Sequence, residues 1–371
     1  MQTQSTKQGE LLDLKTGDLV EVRSEEEILA TLDEQGELDA LPFMPEMLQY
    51  CGKRFRVYKS AHKTCDTMQR SGMRKMEHAV HLVGLRCDGG GHGGCQAGCL
   101  LFWKTAWLSK VDPADAGQAT QATTGTMQSA RGGSADDPAP VVAAPAASRL
   151  LPLVVRNAQG PAFEDGTERF RCQATELLRA APEVLPLLEF GQFSKDVRTG
   201  NFGVGWTARA IGVGVYNRIQ RASNKTLPRW ARIRGGKDWG YLRGRAQGKT
   251  PTGRTGIEVG DLVRVKSRKE IEPTLNENLL NRGMGFDAEM ARFCGKTARV
   301  LRKVDQIIDE YTGKMIYMKS PCLVLENVVC EGAFNANCPR AITPYWREIW
   351  LEKLEDGAEG RPQTPAQSAA N

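Results

Sequence analysis

The hexapeptide GDLVEV at residues 17–22 returns with one change as GDLVRV at residues 260–265. At that offset of 243 positions the correspondence continues without a gap. Ser24, Glu27 and Ile28 fall on Ser267, Glu270 and Ile271, and Thr31-Leu32 falls on Thr274-Leu275. Glu46-Met47 falls on Glu289-Met290, Cys51-Gly52-Lys53 on Cys294-Gly295-Lys296, and Arg56-Val57 on Arg299-Val300. Further on, Cys87 falls on Cys330, Cys95 on Cys338, Trp103 on Trp346, and Trp107-Leu108 on Trp350-Leu351. Self-similarity over roughly 94 positions at one long period marks a tandem duplication. The chain reads as two copies of one cysteine-bearing module, residues 17–110 and 257–354.

Each copy has mixed local signals. GDLVEV is a turn leading into a short alternating strand. Ser24 with Glu27, and Ser267 with Glu270, have the spacing of capping boxes and predict helices over 24–33 and 267–276. Shorter helices are expected over 45–51 and 288–294, each stopped by a glycine, Gly52 or Gly295, able to adopt a left-handed conformation. RFRVYK (54–59), HAVHLVGL (78–85) and SPCLVLENVV (320–329) read as strands. Trp103 and Trp107, like Trp346 and Trp350, are spaced to share one helical face and read as module core. The expected fold class is α+β: a duplicated small β-barrel-like module with short helices.

The Gly-Asp turn opening an LVRV strand, followed by a Gly-Lys turn into a second Arg-Val strand, resembles the small SH3-like barrels of the KOW type. The resemblance covers about a third of each copy. It implies a small barrel and carries no reaction and no functional residues.

The 371 residues are 40% hydrophobic with a net charge of +6, enough for real cores in a water-facing chain. No apolar run approaches the ~20 residues that cross a bilayer. The first residues lack the charged-then-apolar layout of a signal peptide, so the expectation is a cytoplasmic protein with no membrane partner. Residues 1–16 form an N-terminal extension. Residues 111–149 and 355–371 are rich in small and polar side chains and predict a disordered linker and tail.

In a reducing compartment, ten cysteines read as metal ligands, reactive groups or core residues rather than disulfides. The first copy holds Cys87-Asp-Gly-Gly-Gly-His92-Gly-Gly-Cys95-Gln-Ala-Gly-Cys99. Four soft or borderline ligands lie within thirteen residues, and the glycines between them let the backbone turn back tightly. Cys₃His suits tetrahedral zinc, and thiolates also suit iron or an iron–sulfur cluster. The alternative is a glycine-rich loop whose cysteines pack as small hydrophobes.

The candidate metal residues are Cys51, Cys65, Cys87, His92, Cys95, Cys99, Cys294, Cys330 and Cys338. Cys65, His92 and Cys99 face Ile308, Asn335 and Ile342 in the second copy, so the copies share a frame and differ in chemistry. Cys51 and Cys294 sit at predicted helix C-termini, where the dipole disfavours a thiolate nucleophile. The repeated Glu46/Glu289 and Asp66/Asp309 read as structural, since nothing nearby in sequence offers a poised partner.

Between the copies, residues 150–256 do not repeat. RFRCQATELLRAA (169–181) and WTARAIGVGVYNRIQRA (206–222) predict amphipathic helices. From Arg218 to Arg254 there are eleven Lys or Arg residues against one acid, Asp238, with Trp230, Trp239 and Tyr241 interleaved. Arg229, Trp230, Arg232, Arg234, Lys237, Arg243 and Arg245 are candidates for contacting nucleic acid or another anionic partner or substrate. A basic strap packed on acidic module faces is the alternative. The leading expectation is a metalloprotein binding zinc or iron through duplicated modules, with a metal-dependent enzyme among its forms. The other is a nucleic-acid-binding protein with barrels, structural zinc and a basic aromatic arm.

Overall fold

The computed structural model describes residues 12–112 and 148–354. The stretches read as a linker and a tail lie outside the described residues over 113–147 and 355–371, as do residues 1–11. The chain divides into two compact units: residues up to Asn201 together with Ile308–Met315, and Phe202–Ile307 together with residues from Ile316 onward. The non-repeating middle is thereby shared, 150–201 lying in the first unit and 202–256 in the second. Antiparallel strands dominate and helices are few, an α+β fold.

The first unit is built on β1 (Leu19–Val22), β2 (Arg54–Ser60), β3 (Ala79–Arg86), β4 (Leu100–Lys104) and β5 (Leu108–Lys110). They form one sheet in the order β4-β3-β2-β1-β5, so the last strand pairs with the first. Its helices include α1 (Glu25–Leu29), α2 (Leu150–Asn157) and α3 (Gly191–Arg198). The second unit carries the long helix α4 (Val204–Thr226), then β6 (Leu262–Val265) and α5 (Arg268–Ile271). β7 (Thr297–Ile308), β8 (Met315–Leu325), β9 (Trp346–Arg347) and β10 (Leu351–Lys353) complete a sheet ordered β9-β8-β7-β6-β10.

Registers correspond position for position. Leu19 pairs with Arg56 and Leu262 with Arg299; Val20 pairs with Lys110 and Val263 with Lys353; Val80 pairs with Trp103 and Leu323 with Trp346. The cores repeat the match. Phe43 meets Trp107 edge-on at 5.1 Å and Phe286 meets Trp350 at 5.0 Å. Each of these tryptophans donates its indole N–H to a threonine hydroxyl, Thr31 at 3.1 Å and Thr274 at 2.9 Å. All four tryptophans of the pattern are fully buried.

Several local expectations change. The tryptophans are core residues but share no helix: Trp103 and Trp346 lie on β4 and β9, and Trp107 and Trp350 in 3₁₀ turns. The capping boxes form, with Glu27 and Glu270 accepting the amides of Ser24 and Ser267, yet α1 and α5 stop early. Pro273 ends the latter in a 3₁₀ turn over Glu272–Thr274. The helices expected over 45–51 and 288–294 are 3₁₀ turns, Pro45–Tyr50 and Met290–Arg292. Residues 169–181 are not one helix: Arg169–Phe170 pairs with Gln159–Gly160, and only Leu177–Ala180 is helical.

Candidate metal centre

The loop from Cys87 to Cys99 joins β3 to β4, and its ends are tied where the Cys87 amide donates to the Cys99 carbonyl at 2.8 Å. Inside it, the Gly89 carbonyl accepts the amides of His92 (3.1 Å) and Gly94 (3.0 Å), folding the histidine back over the loop start. Gly89 has φ +79°, and a Cβ there would lie 2.1 Å from the Cys95 carbonyl oxygen. Only glycine fits so close an approach in the left-handed region.

The 3₁₀ turn Pro45–Tyr50 delivers Glu46 to this loop. His92 Nε2 lies 3.3 Å from Cys87 Sγ, and His92 Nδ1 lies 3.8 Å from Glu46 Oε1. One ligand atom from each of Glu46, Cys87 and His92 falls within 4.8 Å of the others. Glu46 and His92 are buried, at 8% and 2% exposure. Apart from the neighbouring Cys87 thiol, neither carboxylate oxygen of Glu46 has a hydrogen-bond partner, and His92 Nδ1 has none. Buried polar atoms are nearly always paired, so a cluster of unpaired ones calls for an ion or an equivalent partner.

Sequence reasoning missed Cys172. It lies outside the repeat, in a stretch read as amphipathic helix. Its neighbour Gln173 brings it in: the Gln173 side chain accepts the Phe102 amide at 2.8 Å and donates to the Phe102 carbonyl at 2.9 Å, as a strand residue would. Glu37 anchors the same stretch through Arg171 and Arg179. Burial pushes the Cys172 thiol up to about 12, and Cys99 and Cys95 add to the rise, while the amides of Thr175 and Ala174 oppose it. Cys87 is likewise pushed well up by burial, then by Glu46, Cys99 and Cys172. Each of these thiols makes its neighbours harder to ionise, while the ligand atoms that converge within 4.8 Å among the described residues are those of Glu46, Cys87 and His92. Cys95, 4% exposed, accepts the Ile308 amide at 3.3 Å.

Cys51, Cys65 and Cys294 lie outside the 87–99 loop, on other elements. Cys51 caps the 3₁₀ turn and is raised to about 11 by burial and then Glu25. Cys65 lies on the short strand Lys63–Cys65, opposite Met73. Cys294 is raised to about 11 by burial, against the pull of Arg268.

In the second unit the corresponding site is closed by its own hydrogen bonds. Glu289 Oε1 accepts the Phe334 amide at 2.7 Å, and Glu289 Oε2 pairs with Arg292 at 3.3 Å. Asn335, in the place of His92, points its amide at Cys330 Sγ at 3.9 Å. Ile342 stands where Cys99 is. Burial and then Glu289 and Cys338 push Cys330 far up.

The basic candidates lie in the second unit. Arg229 falls in a 3₁₀ turn, Arg229–Ala231, and Trp230 beside it is 88% exposed. Arg232 donates to the Leu227 carbonyl at 2.7 Å, Arg243 to the Arg234 carbonyl at 3.1 Å, and Arg245 pairs with Glu272 at 3.1 Å. Lys237 donates to the Leu242 carbonyl at 2.8 Å; burial and then the Arg243 guanidinium press its pKa down to about 8.

Compared with known proteins, the chain matches no family model, no curated protein and no solved structure. No described helix is long and apolar enough to cross a membrane.

Proposed function

We propose that this is a zinc-binding protein, with the metal held in the first module by Cys87, His92, Cys99 and Cys172 and playing a structural role. The observation that carries this is the buried Glu46–His92–Cys87 group, whose carboxyl has no partner beyond the Cys87 thiol and whose ring nitrogen Nδ1 has none, at the place where the second module supplies them. Two ligands on one tetrahedral zinc, at ~2.0 Å for nitrogen and ~2.3 Å for sulfur, stand about 3.5 Å apart. The 3.3 Å between His92 Nε2 and Cys87 Sγ is close to that separation. Glu46 then faces the other ring nitrogen, the carboxylate–histidine–metal relay that fixes tautomer and ring orientation. Amides directed at the Cys172 sulfur suit a thiolate.

Four protein ligands close the coordination shell, which favours a structural over a catalytic ion. With those four assigned, Cys95, whose sulfur also accepts an amide, is the fifth sulfur or nitrogen candidate and stands outside the shell in this reading. The matched strand order and registers support a duplicated module of the SH3-like, KOW-type barrel kind. In this scheme the metal belongs to the first copy and the second is its metal-free counterpart.

The test is elemental analysis with an absorption spectrum on anaerobically purified protein. One zinc per chain and no visible band is expected. A visible thiolate–iron band with stoichiometric iron replaces zinc with iron or an iron–sulfur cluster. Absence of any metal, with none taken up from added zinc, ends the proposal.

A further inference from the structure

The second unit carries a surface that the metal centre does not use. The segment after α4 folds back along the polar side of that helix, held by three residues spaced at helical intervals. Asn217 accepts the Trp239 amide at 2.6 Å, Gln220 donates to the Ile233 carbonyl, and Asn224 donates to the Gly236 carbonyl at 2.6 Å. The segment is thereby set before any ligand arrives. Tyr216 meets the Trp239 ring edge-on at 5.7 Å, and the Arg234 guanidinium lies over that ring, 4.8 Å from its centre. Trp239 remains 45% exposed, and Trp230 is 88% exposed.

Cations flank these rings. Arg218, Arg221 and Lys225 stand at i, i+3 and i+7 on α4, hence on one face, spanning roughly 10 Å. All three are exposed; Arg221 pairs with Asp238, while Arg218 and Lys225 make no ion pair among the described residues. From Arg218 to Arg254 the formal charge is +10.

We propose that this face, formed by the C-terminal half of α4 and residues 227–239, binds single-stranded nucleic acid. Arg218 and Lys225 neutralise phosphates, and the open faces of Trp230 and Trp239 stack on unpaired bases. Stacking explains what charge alone does not: two tryptophans held in water at the centre of a cationic field. Every base has a π-face, so the surface accepts sequence broadly. Ile219, Leu227 and Ile233 are also exposed on this face, so an anionic lipid surface is the competing partner that the vesicles in the test decide.

The test uses the full chain and fluorescence anisotropy with labelled 12-nucleotide oligo(U) and oligo(dT), a duplex of the same length, and competing vesicles containing phosphatidylserine. Single strands are expected to bind more tightly than the duplex. Trp230→Ala removes a side chain that packs on almost nothing and weakens binding about tenfold with the salt dependence unchanged. Arg218→Glu with Lys225→Glu flattens the slope of log affinity against log salt by about 1.4, two phosphates at ~0.7 each. Equal affinity for the duplex, full binding by Trp230→Ala, or binding to vesicles without binding to oligonucleotides overturns the proposal. A thermal midpoint unchanged from the parent chain shows that the variants remain folded.

Discussion

Glu46 and Glu289 stand 243 positions apart in modules of matching strand order, as do Cys87 and Cys330, His92 and Asn335, and Cys99 and Ile342. Around Glu289 everything is satisfied: an amide from Phe334, a guanidinium from Arg292, and an asparagine amide turned toward Cys330. Around Glu46 the residue in the place of Arg292 is Gln49, whose side-chain amide donates to the Glu46 backbone carbonyl at 2.9 Å and not to the carboxyl. Three exchanges, arginine to glutamine, asparagine to histidine and isoleucine to cysteine, separate a self-contained polar pocket from one that lacks a partner. One donor is backbone: the Phe334 amide reaches Glu289, whereas its counterpart at Gly91 makes no such bond to Glu46. The loop turns on Gly89 and Gly332, and the amides of His92 and Asn335 reach the same carbonyl in each copy.

The hardest test of this contrast is to remove the proposed ligand that comes from outside the repeat. Cys172→Ser is expected to cost on the order of 100-fold in zinc affinity, about a quarter of the free energy of a four-ligand structural site. Cys330→Ser and Cys95→Ser are expected to leave bound zinc at one per chain. Competition with a chromophoric chelator measures all three. Loss of zinc in Cys95→Ser with retention in Cys172→Ser would restore the ligand set contained within residues 87–99.

That contrast also marks what the sequence can carry. A period of 243 residues exposes the frame, because pairs such as Val20–Lys110 and Val263–Lys353 recur with it. It exposes Cys87, His92, Cys95 and Cys99, which are neighbours along the chain. It does not expose Glu46 or Cys172. Glu46 meets His92 only when the turn at 45–50 packs against the loop, and nothing near it in sequence offers a partner. Cys172 reaches the loop because Gln173 imitates a strand residue against Phe102, a contact without sequence periodicity. The helix expected over 169–181 failed for a related reason: apolar residues at helical spacing serve equally a strand at Phe170 and a turn at Cys172.

Next in size is a change that should not distinguish the copies. Gly89 and Gly332 have φ of +79° and +75°, and an added Cβ would lie 2.1 Å from the Cys95 carbonyl oxygen in one and 2.7 Å from Cys338 backbone atoms in the other. Gly89→Ala and Gly332→Ala are each expected to destabilise by about 2 kcal/mol, from left-handed strain together with backbone overlap. Urea unfolding measures both. If only Gly89→Ala is costly, the loop of the second copy can relax and the frame is less alike than its registers indicate.

The smallest effect is the most diagnostic, since its sign depends on what fills the first site. Glu46→Gln keeps shape and replaces a carboxyl that lacks partners. In protein stripped of metal it is expected to stabilise by about 1 kcal/mol, because an amide N–H can donate to the unpaired His92 Nδ1, which a carboxylate cannot do. In metal-loaded protein the same change removes the group facing His92 Nδ1, and affinity is expected to fall about 10-fold. Glu289→Gln has no such duality. It loses the Arg292 ion pair and should destabilise by about 1 kcal/mol whether or not chelator is present. Thermal melts of the parent and both variants, with zinc and with chelator, give the four comparisons. A Glu46→Gln effect that ignores zinc would mean that the carboxyl is an ordinary buried group, and the contrast between the copies would reduce to packing.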